Sequence, residues 1–371
     1  MIYKKIAFNP NSVVWGNDFF GRENEIDSLS KRLFHDQSVL ITGERRIGKT
    51  SLLLHAKKSL KIFNEDVPII WLESHGSSNL PNLIEKIQYS LKQIGVISTN
   101  ITFNELRLFN FLKKLSLSHG KVIFFISDLD DMLGYISDDE KASFEIASFF
   151  RSIIDSGHVV ACATSFKENF PVDETLIRAP LSNVFYVIVL KGFTESEAIN
   201  FLMEVSSRSG NRLNENECRF AISLIGLIPY NLQQFGFDLF SHETFSDSTD
   251  SDRKGYLISA IERCSFSLEQ QWNRGLSSLS PSKRSTLFKA ASSGKIKENQ
   301  DTTYLLRRGY IDIKDNPFQS MGRLYKQYLI EAKSAFSDDG QNWEGVRNFA
   351  QSITSTITKT IIESAMKTYL Q

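Results

Sequence analysis

The chain has 371 residues, 41% hydrophobic and 23% charged, which is enough to bury the cores of two or more globular domains. Its 43 lysines and arginines match 43 aspartates and glutamates, so no global field attracts it to nucleic acid or to a membrane. No segment approaches the roughly 18 uninterrupted apolar residues of a membrane span. The 3 cysteines are dispersed without metal-site spacing, which favours reduced thiols and a cytoplasmic location.

The first strongly patterned region is a strand, a glycine-rich loop and a helix. Ser38–Thr42 is a short apolar run, Gly43–Thr50 reads G-E-R-R-I-G-K-T, and Ser51–Ala56 continues as a helix. Such a loop points successive backbone N–H groups at a polyphosphate, Lys49 reaches the outer phosphates, and the Thr50 hydroxyl can ligate Mg²⁺. The sequence therefore predicts binding of ATP or ADP with Mg²⁺. The nucleotide-binding residues predicted here are Gly43, Arg46, Ile47, Gly48, Lys49, Thr50 and Ser51.

Four further apolar runs follow the loop and alternate with helical patterns. The runs are Val67–Leu72, Val122–Ile126, Val159–Ala163 and Val184–Leu190. They are too short for helices and too evenly apolar for one-sided strands, as expected of parallel strands covered on both faces. The alternation predicts an α/β fold, a P-loop NTPase core with a parallel sheet, over residues 1–192.

Beyond the core the pattern is helical. Thr194 and Glu197 form a capping-box pattern that opens a helical lid over residues 193–240. Residues 241–256 are polar and acidic and are interpreted as a linker. Residues 257–334 have the helix-helix-helix-wing order of a winged-helix domain, with the wing beginning at Gly309. Residues 335–371 are predicted to form a C-terminal helical segment.

Two more motifs flank this alternation: Phe19–Ile26 reads F-F-G-R-E-N-E-I, and Gly226–Pro229 reads G-L-I-P. With the phosphate loop, they make the chain resemble AAA+/STAND-type P-loop ATPases, particularly the archaeal ATPase-like family, over about residues 9–334. The resemblance implies that the first segment lies against adenine and that the lid proline approaches the base. Both motifs have plainer readings as a helix start with acidic first-turn residues and as a helix break, and Leu227 replaces a glycine common in the family. The implied binding residues are Phe20, Gly21, Arg22 and Pro229.

The strand that should carry the metal and catalytic carboxylates departs from the family pattern. In Val122–Asp131, one register puts Ser127 in the magnesium-aspartate position and Asp128 in the catalytic position. The other register makes Asp128 the magnesium ligand and leaves Leu129 where a base is expected. Either way one carboxylate is missing, which predicts ATP binding with slow or partner-dependent hydrolysis. Thr164 ends the next strand, where relatives place a polar residue facing the γ-phosphate.

The second half of the chain has an excess of basic residues that could bind DNA. In residues 257–334, lysines and arginines outnumber acidic residues by 13 to 7, as expected of a phosphate-contacting surface. Lys297, Arg307 and Arg308 are the candidate DNA contacts. The alternative is a winged helix that packs within the protein and couples nucleotide state to an open or closed form.

The leading hypothesis is a nucleotide-dependent switch ATPase that recruits or releases a partner, and the resemblance implies signalling or antiviral defence. The C-terminal helix carries an apolar stripe suited to self-association, to docking of a protein effector or to packing on the body of the protein. The alternatives are a DNA-acting AAA+ regulator of the transposition or origin-loading type, and a pseudo-ATPase scaffold with structural nucleotide.

Overall fold

The computed structural model describes residues 6–63, 66–74, 79–98, 101–133, 140–166, 181, 183–241, 245, 250–312, 317–333 and 357–370. Their contacts divide the chain into two compact units. The sheet unit comprises Val13–Gly43 and Gly48–Leu190. The helical unit comprises Met1–Ser12, Glu44–Ile47 and Lys191–Gln371, so the chain passes from one unit to the other inside the glycine-rich loop.

The sheet unit is built on a five-stranded parallel sheet, which confirms the predicted fold class. The strand order is β2-β3-β4-β1-β5. The strands are β1 (Val39–Gly43), β2 (Ile69–Glu73), β3 (Val122–Ser127), β4 (Val159–Ser165) and β5 (Tyr186–Leu190). The three inner strands are buried at every residue, whereas the outer strands β2 and β5 are partly exposed. The inner strands are therefore covered on both faces, as their continuous apolar sequences predicted for parallel strands.

Helices α1 to α6 belong to the same unit and connect its strands. Their bounds are α1 (Glu23–Phe34), α2 (Lys49–Phe63), α3 (Leu80–Gln93), α4 (Glu105–His119), α5 (Leu129–Met132) and α6 (Glu140–Asp155). Asparagine side chains cap two of these helices, because the oxygen of Asn79 accepts from the Asn82 amide and that of Asn104 from the Arg107 amide. The core continues from the sheet into α3, α4 and α6 and includes Phe124 and Phe150.

The helical unit contains the remaining elements. They are α7 (Glu195–Arg208), α8 (Glu215–Ile225), α9 (Pro229–Phe240), α10 (Asp250–Ser278), α11 (Pro281–Ser293), α12 (Gln300–Arg308), α13 (Arg323–Ala332) and α14 (Ile357–Tyr369). The predicted capping box is confirmed, since Thr194 accepts from the Glu197 amide and Glu197 accepts from the Thr194 amide. A second capping box joins Asn214 and Glu217 at the start of α8.

Two glycines allow the segment after α8 to meet the segment before α13. A Cβ added to Gly226 would lie 2.5 Å from the backbone of Ser320 and Met321, and one on Gly322 would lie 2.4 Å from the Leu224 carbonyl oxygen. The Leu227 amide donates to the Ser320 carbonyl at 2.8 Å in the same contact. Only residues without a side chain fit such a close backbone approach.

The structure corrects part of the predicted organisation of the second half. Helix α10 begins at Asp250, so residues 250–256 of the predicted linker are helical. The described part of the predicted wing, Gly309–Asp312, is a turn without strand, and residues 313–316 lie outside the described residues. Of the C-terminal segment, residues 334–356 also lie outside them. The described helix α14 packs on α8, with Ile362 and Ala365 buried.

Two expectations drawn from composition bear on location. Within the described ranges, every helix falls short of the length and apolarity that crossing a membrane requires. All three cysteines are buried and free, and burial raises the pKa of Cys218 to about 12. These thiols are therefore protonated and inert at neutral pH.

Candidate functional site: the phosphate loop

The glycine-rich loop has the strand-loop-helix geometry predicted for it. β1 ends at Gly43, α2 begins at Lys49, and Gly48 has a φ of 99°, which favours glycine. The Lys49 ammonium donates to the Gly43 carbonyl oxygen at 3.0 Å and is buried. The lysine is thus folded back over the loop, and the N-terminal turn of α2 follows the loop directly.

The four residues at the tip of this loop belong to the helical unit. Ile47 is 1% exposed, and Arg46 adopts a left-handed conformation with a φ of 65°. The Arg46 guanidinium lies 4.9 Å from the centre of the Tyr230 ring and donates to the Pro10 carbonyl at 3.3 Å. Arg46, predicted to bind nucleotide, is therefore engaged by protein groups at the loop tip. A non-glycine residue held in this region stores strain, which is common in ligand-binding loops.

Glu44 makes the strongest contacts of the tip. The Arg308 Nε donates to one Glu44 carboxylate oxygen at 2.9 Å, and Nη2 forms an ion pair with the same oxygen at 2.8 Å. The Tyr310 hydroxyl donates to the other oxygen at 2.6 Å. Burial alone would lower the pKa of Arg308, but the adjacent carboxylate outweighs it and the pKa is raised. Burial, together with the charge of Glu44, raises the pKa of Tyr310.

The segment that the resemblance assigns to adenine lies beside the helix that follows the loop. The Phe19 ring stacks on His55 of α2 with centroids 4.4 Å apart, and the Val14 amide donates to the Ser51 hydroxyl at 3.2 Å. Gly21 and Arg22 both have positive φ, and Arg22 is buried and paired with Glu25 at 3.1 Å. The Phe19 contact thus brings this segment beside the loop helix, and Phe20 is half-buried. Ser51 is buried and contacts Val14, which precedes the segment.

Three aspartates follow the end of β3: Asp128, Asp130 and Asp131. The strand stops at Ser127, and Asp128 follows in a left-handed conformation with φ 55° and ψ 60°. The Asp128 amide donates to the Thr164 hydroxyl at 2.8 Å, and the Ser127 hydroxyl donates to the Asp128 carboxylate at 3.0 Å. Asp128 and Thr164, the two predicted catalytic residues, therefore touch each other at the carboxyl edge of adjacent strands.

The two neighbouring aspartates differ from Asp128. Asp130 is 8% exposed, and both of its oxygens accept from the Phe166 amide at 3.2 Å, so it fixes the chain after β4. Asp131 is exposed. The last residue of the strand is Ser127, and Asp128 follows it directly, so both predicted registers remain open.

The described residues contain no group of three or more His, Cys, Asp or Glu side chains placed to hold a metal. Mg²⁺ at nucleotide sites usually binds through one or two carboxylates together with the substrate phosphates. The Thr50 hydroxyl and the Asp128 carboxylate are donors of the kind that suits a Mg²⁺ arriving with its nucleotide.

Pro229 occupies the first turn of α9, where its missing N–H costs no hydrogen bond. Its neighbour Asn231 donates to the Ile225 carbonyl at 2.7 Å and fixes the bend between α8 and α9. A cavity of about 40 Å³ in the helical unit is lined by Glu44, Asn231, Tyr310 and Tyr325 among others. Loop tip, lid and predicted winged helix therefore share one packed region.

Arg308 is a correction among the predicted DNA contacts. Its residue is 2% exposed and its guanidinium is paired with Glu44, so it is not available to a phosphate at the surface. Lys297 and Arg307 are exposed, and their contact with DNA stays a prediction. Charge alone could not separate two adjacent arginines, because burial on α12 follows helical position.

Sequence reasoning missed Glu44 and Tyr310. The only signal was an acidic residue inside an anion-binding loop, where a carboxylate is unfavourable without a partner. Nothing in the spacing indicated a partner at Arg308, 264 residues along the chain.

Comparison with known proteins supports the fold. No family model matches the chain. A Walker-type ATPase of Pyrococcus abyssi aligns with a TM-score of 0.61 and 19% identity, over 87% of this chain and 99% of the other. The ORC2 protein of Aeropyrum pernix, in ADPNP-ADP complexes, aligns with a TM-score of 0.56 and 13% identity, over 94% and 98%.

Among curated sequences, the ClpB chaperone of Mycoplasma pneumoniae is 23% identical over 265 residues, covering 68% of this chain and 34% of ClpB. The ClpB of Mycoplasma genitalium matches similarly, so the chain spans about a third of the length of these relatives. The predicted fold is confirmed, because the chain has the fold of the Pyrococcus abyssi Walker-type ATPase and of the Aeropyrum pernix ORC2 protein.

Proposed function

We propose that this protein is an ATP-binding switch of the AAA+ type, in which a nucleotide seated on Gly43–Thr50 controls the state of the helical unit. Hydrolysis is slow or dependent on a partner. Its role is recruitment or release of that partner, in signalling or defence, from a cytoplasmic location that the three buried thiols suit.

The observation that carries the proposal is the loop itself. A strand ending in Gly43, a glycine with positive φ at position 48 and a helix starting at Lys49 create an anion site from main-chain N–H groups. The buried Lys49 ammonium supplies the positive charge that outer phosphates need. The Aeropyrum pernix ORC2 structure of the same fold contains ADPNP and ADP, which supports an adenine nucleotide here.

Thr50 and Asp128 would hold the Mg²⁺ of the nucleotide, and that ion would neutralise charge on the outer phosphates when bound. Asp128 sits on a sharp turn that the Thr164 hydroxyl and the Ser127 hydroxyl both support. In this position its carboxylate can accept a proton or orient a water. With Ser127 as the last strand residue, the second carboxylate of a fully equipped ATPase is missing.

Removing one member of such a pair reduces the rate by about 100-fold or more, by analogy with loss of a single transition-state contact. Binding depends instead on main-chain amides and Lys49, which are complete. We therefore expect a protein that retains its nucleotide and turns it over rarely.

Titration calorimetry of the purified protein with ATP and with ADP, each with Mg²⁺, tests the proposal. We expect heat of binding for both nucleotides and single-turnover hydrolysis over minutes or longer. The absence of binding to either nucleotide would refute the proposal.

A DNA-acting regulator is the second candidate, and one observation favours it. α11 and α12 are joined by a short connection, and Lys289, Lys295, Lys297 and Arg307 are exposed around it. These cations would contact phosphates, and affinity would fall steeply with salt. Retardation of a duplex by the wild type, lost in a Lys297→Ala and Arg307→Ala variant, would support this function; no retardation at low salt would exclude it.

A further inference from the structure

One arginine and one tyrosine of the helical unit contact the carboxylate of Glu44. The Arg308 Nε donates to one of its oxygens at 2.9 Å, with Nη2 2.8 Å from the same oxygen as an ion pair, and the Tyr310 hydroxyl donates to the other oxygen at 2.6 Å. The Arg308 side chain is 0% exposed and that of Glu44 is 14% exposed. Charge-assisted contacts of this kind are shorter and stronger than neutral ones.

The position of Glu44 means that its charge affects phosphate binding as well as stability. Glu44 follows Gly43 directly, inside the loop whose amides form the proposed phosphate site. A carboxylate at that point repels a polyphosphate, and the repulsion is stronger in the low dielectric of a buried site. A guanidinium that pairs with the carboxylate cancels its charge and holds it in one direction.

The loop tip is covalently continuous with the glycines on either side of it. Glu44–Ile47 groups with the helical unit, while Gly43 and Gly48 group with the sheet unit. Two further contacts hold the tip from the helical side: Gln271 donates to the Arg45 carbonyl at 3.3 Å, and Tyr230 lies under Arg46. The conformation of the loop is therefore coupled to α9, α10 and α12 through side chains of the tip.

We propose that Arg308, assisted by Tyr310, is a positioning residue of the nucleotide site that neutralises and orients Glu44 so that the loop can accept a polyphosphate. The inference rests on the proposed nucleotide binding. It assigns the end of α12 a role in ligand affinity, and it makes the helical unit responsive to the nucleotide, because a coupling between two sites acts in both directions.

The test compares MgATP affinity by titration calorimetry in four variants. Arg308→Met removes the charge, and Arg307→Met is the matched control at the exposed neighbour on the same helix. Glu44→Gln combined with Arg308→Met removes both charges, and Arg308→Lys keeps one. Each titration is run below the melting temperature of the variant, so that only folded protein is measured.

We expect Arg308→Met to weaken MgATP binding about tenfold, within the usual range of coupling between sites. The double variant should return to within about threefold of the wild type, Arg308→Lys should lie between them, and Arg307→Met should change nothing beyond about twofold. A merely structural role would lower the melting temperature of Arg308→Met and leave the affinity of the folded protein unchanged.

Unchanged affinity in folded Arg308→Met, or a double variant as weak as Arg308→Met, would overturn the inference while leaving nucleotide binding in place. A wild type without affinity would instead refute the proposed function. Should Arg308→Met not fold, Tyr310→Phe removes one hydrogen bond to Glu44 and should weaken MgATP binding about threefold. Wild-type affinity in Tyr310→Phe would then overturn the inference.

Discussion

The phosphate loop and the carboxyl end of β3 lie in the same fold, but they are equipped very differently. The loop has the groups that the proposed polyphosphate site requires, from the positive-φ Gly48 to the buried Lys49. The end of β3 has a serine in its last position, followed by Asp128 in a left-handed turn. In the proposed function, binding and turnover depend on separate residues, so a chain can keep the first while the second weakens.

The largest expected effect is on the binding side. Lys49→Ala removes the only ammonium group of the G-E-R-R-I-G-K-T motif, and we expect MgATP affinity to fall by about 100-fold or more. Calorimetry measures it, and circular dichroism checks that α2 remains helical. Binding within threefold of the wild type would show that the loop is not the site.

The next effect concerns the missing carboxylate. Ser127→Asp restores an acidic residue at the last position of β3, and we expect steady-state ATP hydrolysis to rise by about tenfold or more. A phosphate-release assay measures it, and Ser127→Asn, of similar size without charge, is the control. If Ser127→Asp and Ser127→Asn give equal hydrolysis rates, the missing carboxylate at the end of β3 does not explain slow turnover.

Asp128 should account for the activity that remains. Asp128→Asn keeps the size of the side chain and loses the proton-accepting charge, so single-turnover hydrolysis should fall by about tenfold while binding changes little. Asp131→Asn, at an exposed aspartate three residues on, should leave the rate unchanged. Equal losses in the two variants would indicate a general effect of negative charge at this turn.

The smallest expected effect on ATP comes from a carboxylate unrelated to the loop. Burial, and then the charge of Glu331, raise the pKa of Glu269 to about 7. Since this pKa is above the value in an unfolded chain, about 4.3, the free energy of unfolding should fall as pH rises from about 4.5 to 7. Glu269→Gln should remove roughly 1–3 kcal/mol of that loss and leave MgATP affinity unchanged. Urea unfolding at pH 5 and pH 8 measures the free energy of unfolding of the wild type and of Glu269→Gln. The same change with pH in both proteins would contradict the prediction.

Much of the sheet unit could be predicted from the sequence because its signals are local. Evenly apolar runs such as Val122–Ile126 mark buried parallel strands, and glycine spacing with Lys49 marks the loop. The capping box at Thr194 was equally local, since its two partners are three residues apart. Such patterns require no knowledge of the remainder of the chain.

What the sequence could not give were contacts made across long separations. The Glu44–Arg308 pair joins residues 264 positions apart, and no periodicity links them. Arg308 and Arg307 have the same chemistry, and only packing of α12 decides which one is buried. The start of α10 at Asp250 was missed because acidic, serine-rich stretches resemble linkers, although acidic residues in a first turn stabilise a helix.

The passage of the chain between units inside the glycine-rich loop has a practical consequence for dissection of the molecule. A fragment that stops at Leu190 would keep every residue of G-E-R-R-I-G-K-T but lack the groups that surround Glu44 and Arg46. In that fragment the tip of the glycine-rich loop would have lost the side chains that contact it. Experiments on ligand affinity therefore belong on the intact polypeptide, and a truncated version that fails to bind would say nothing about the native one.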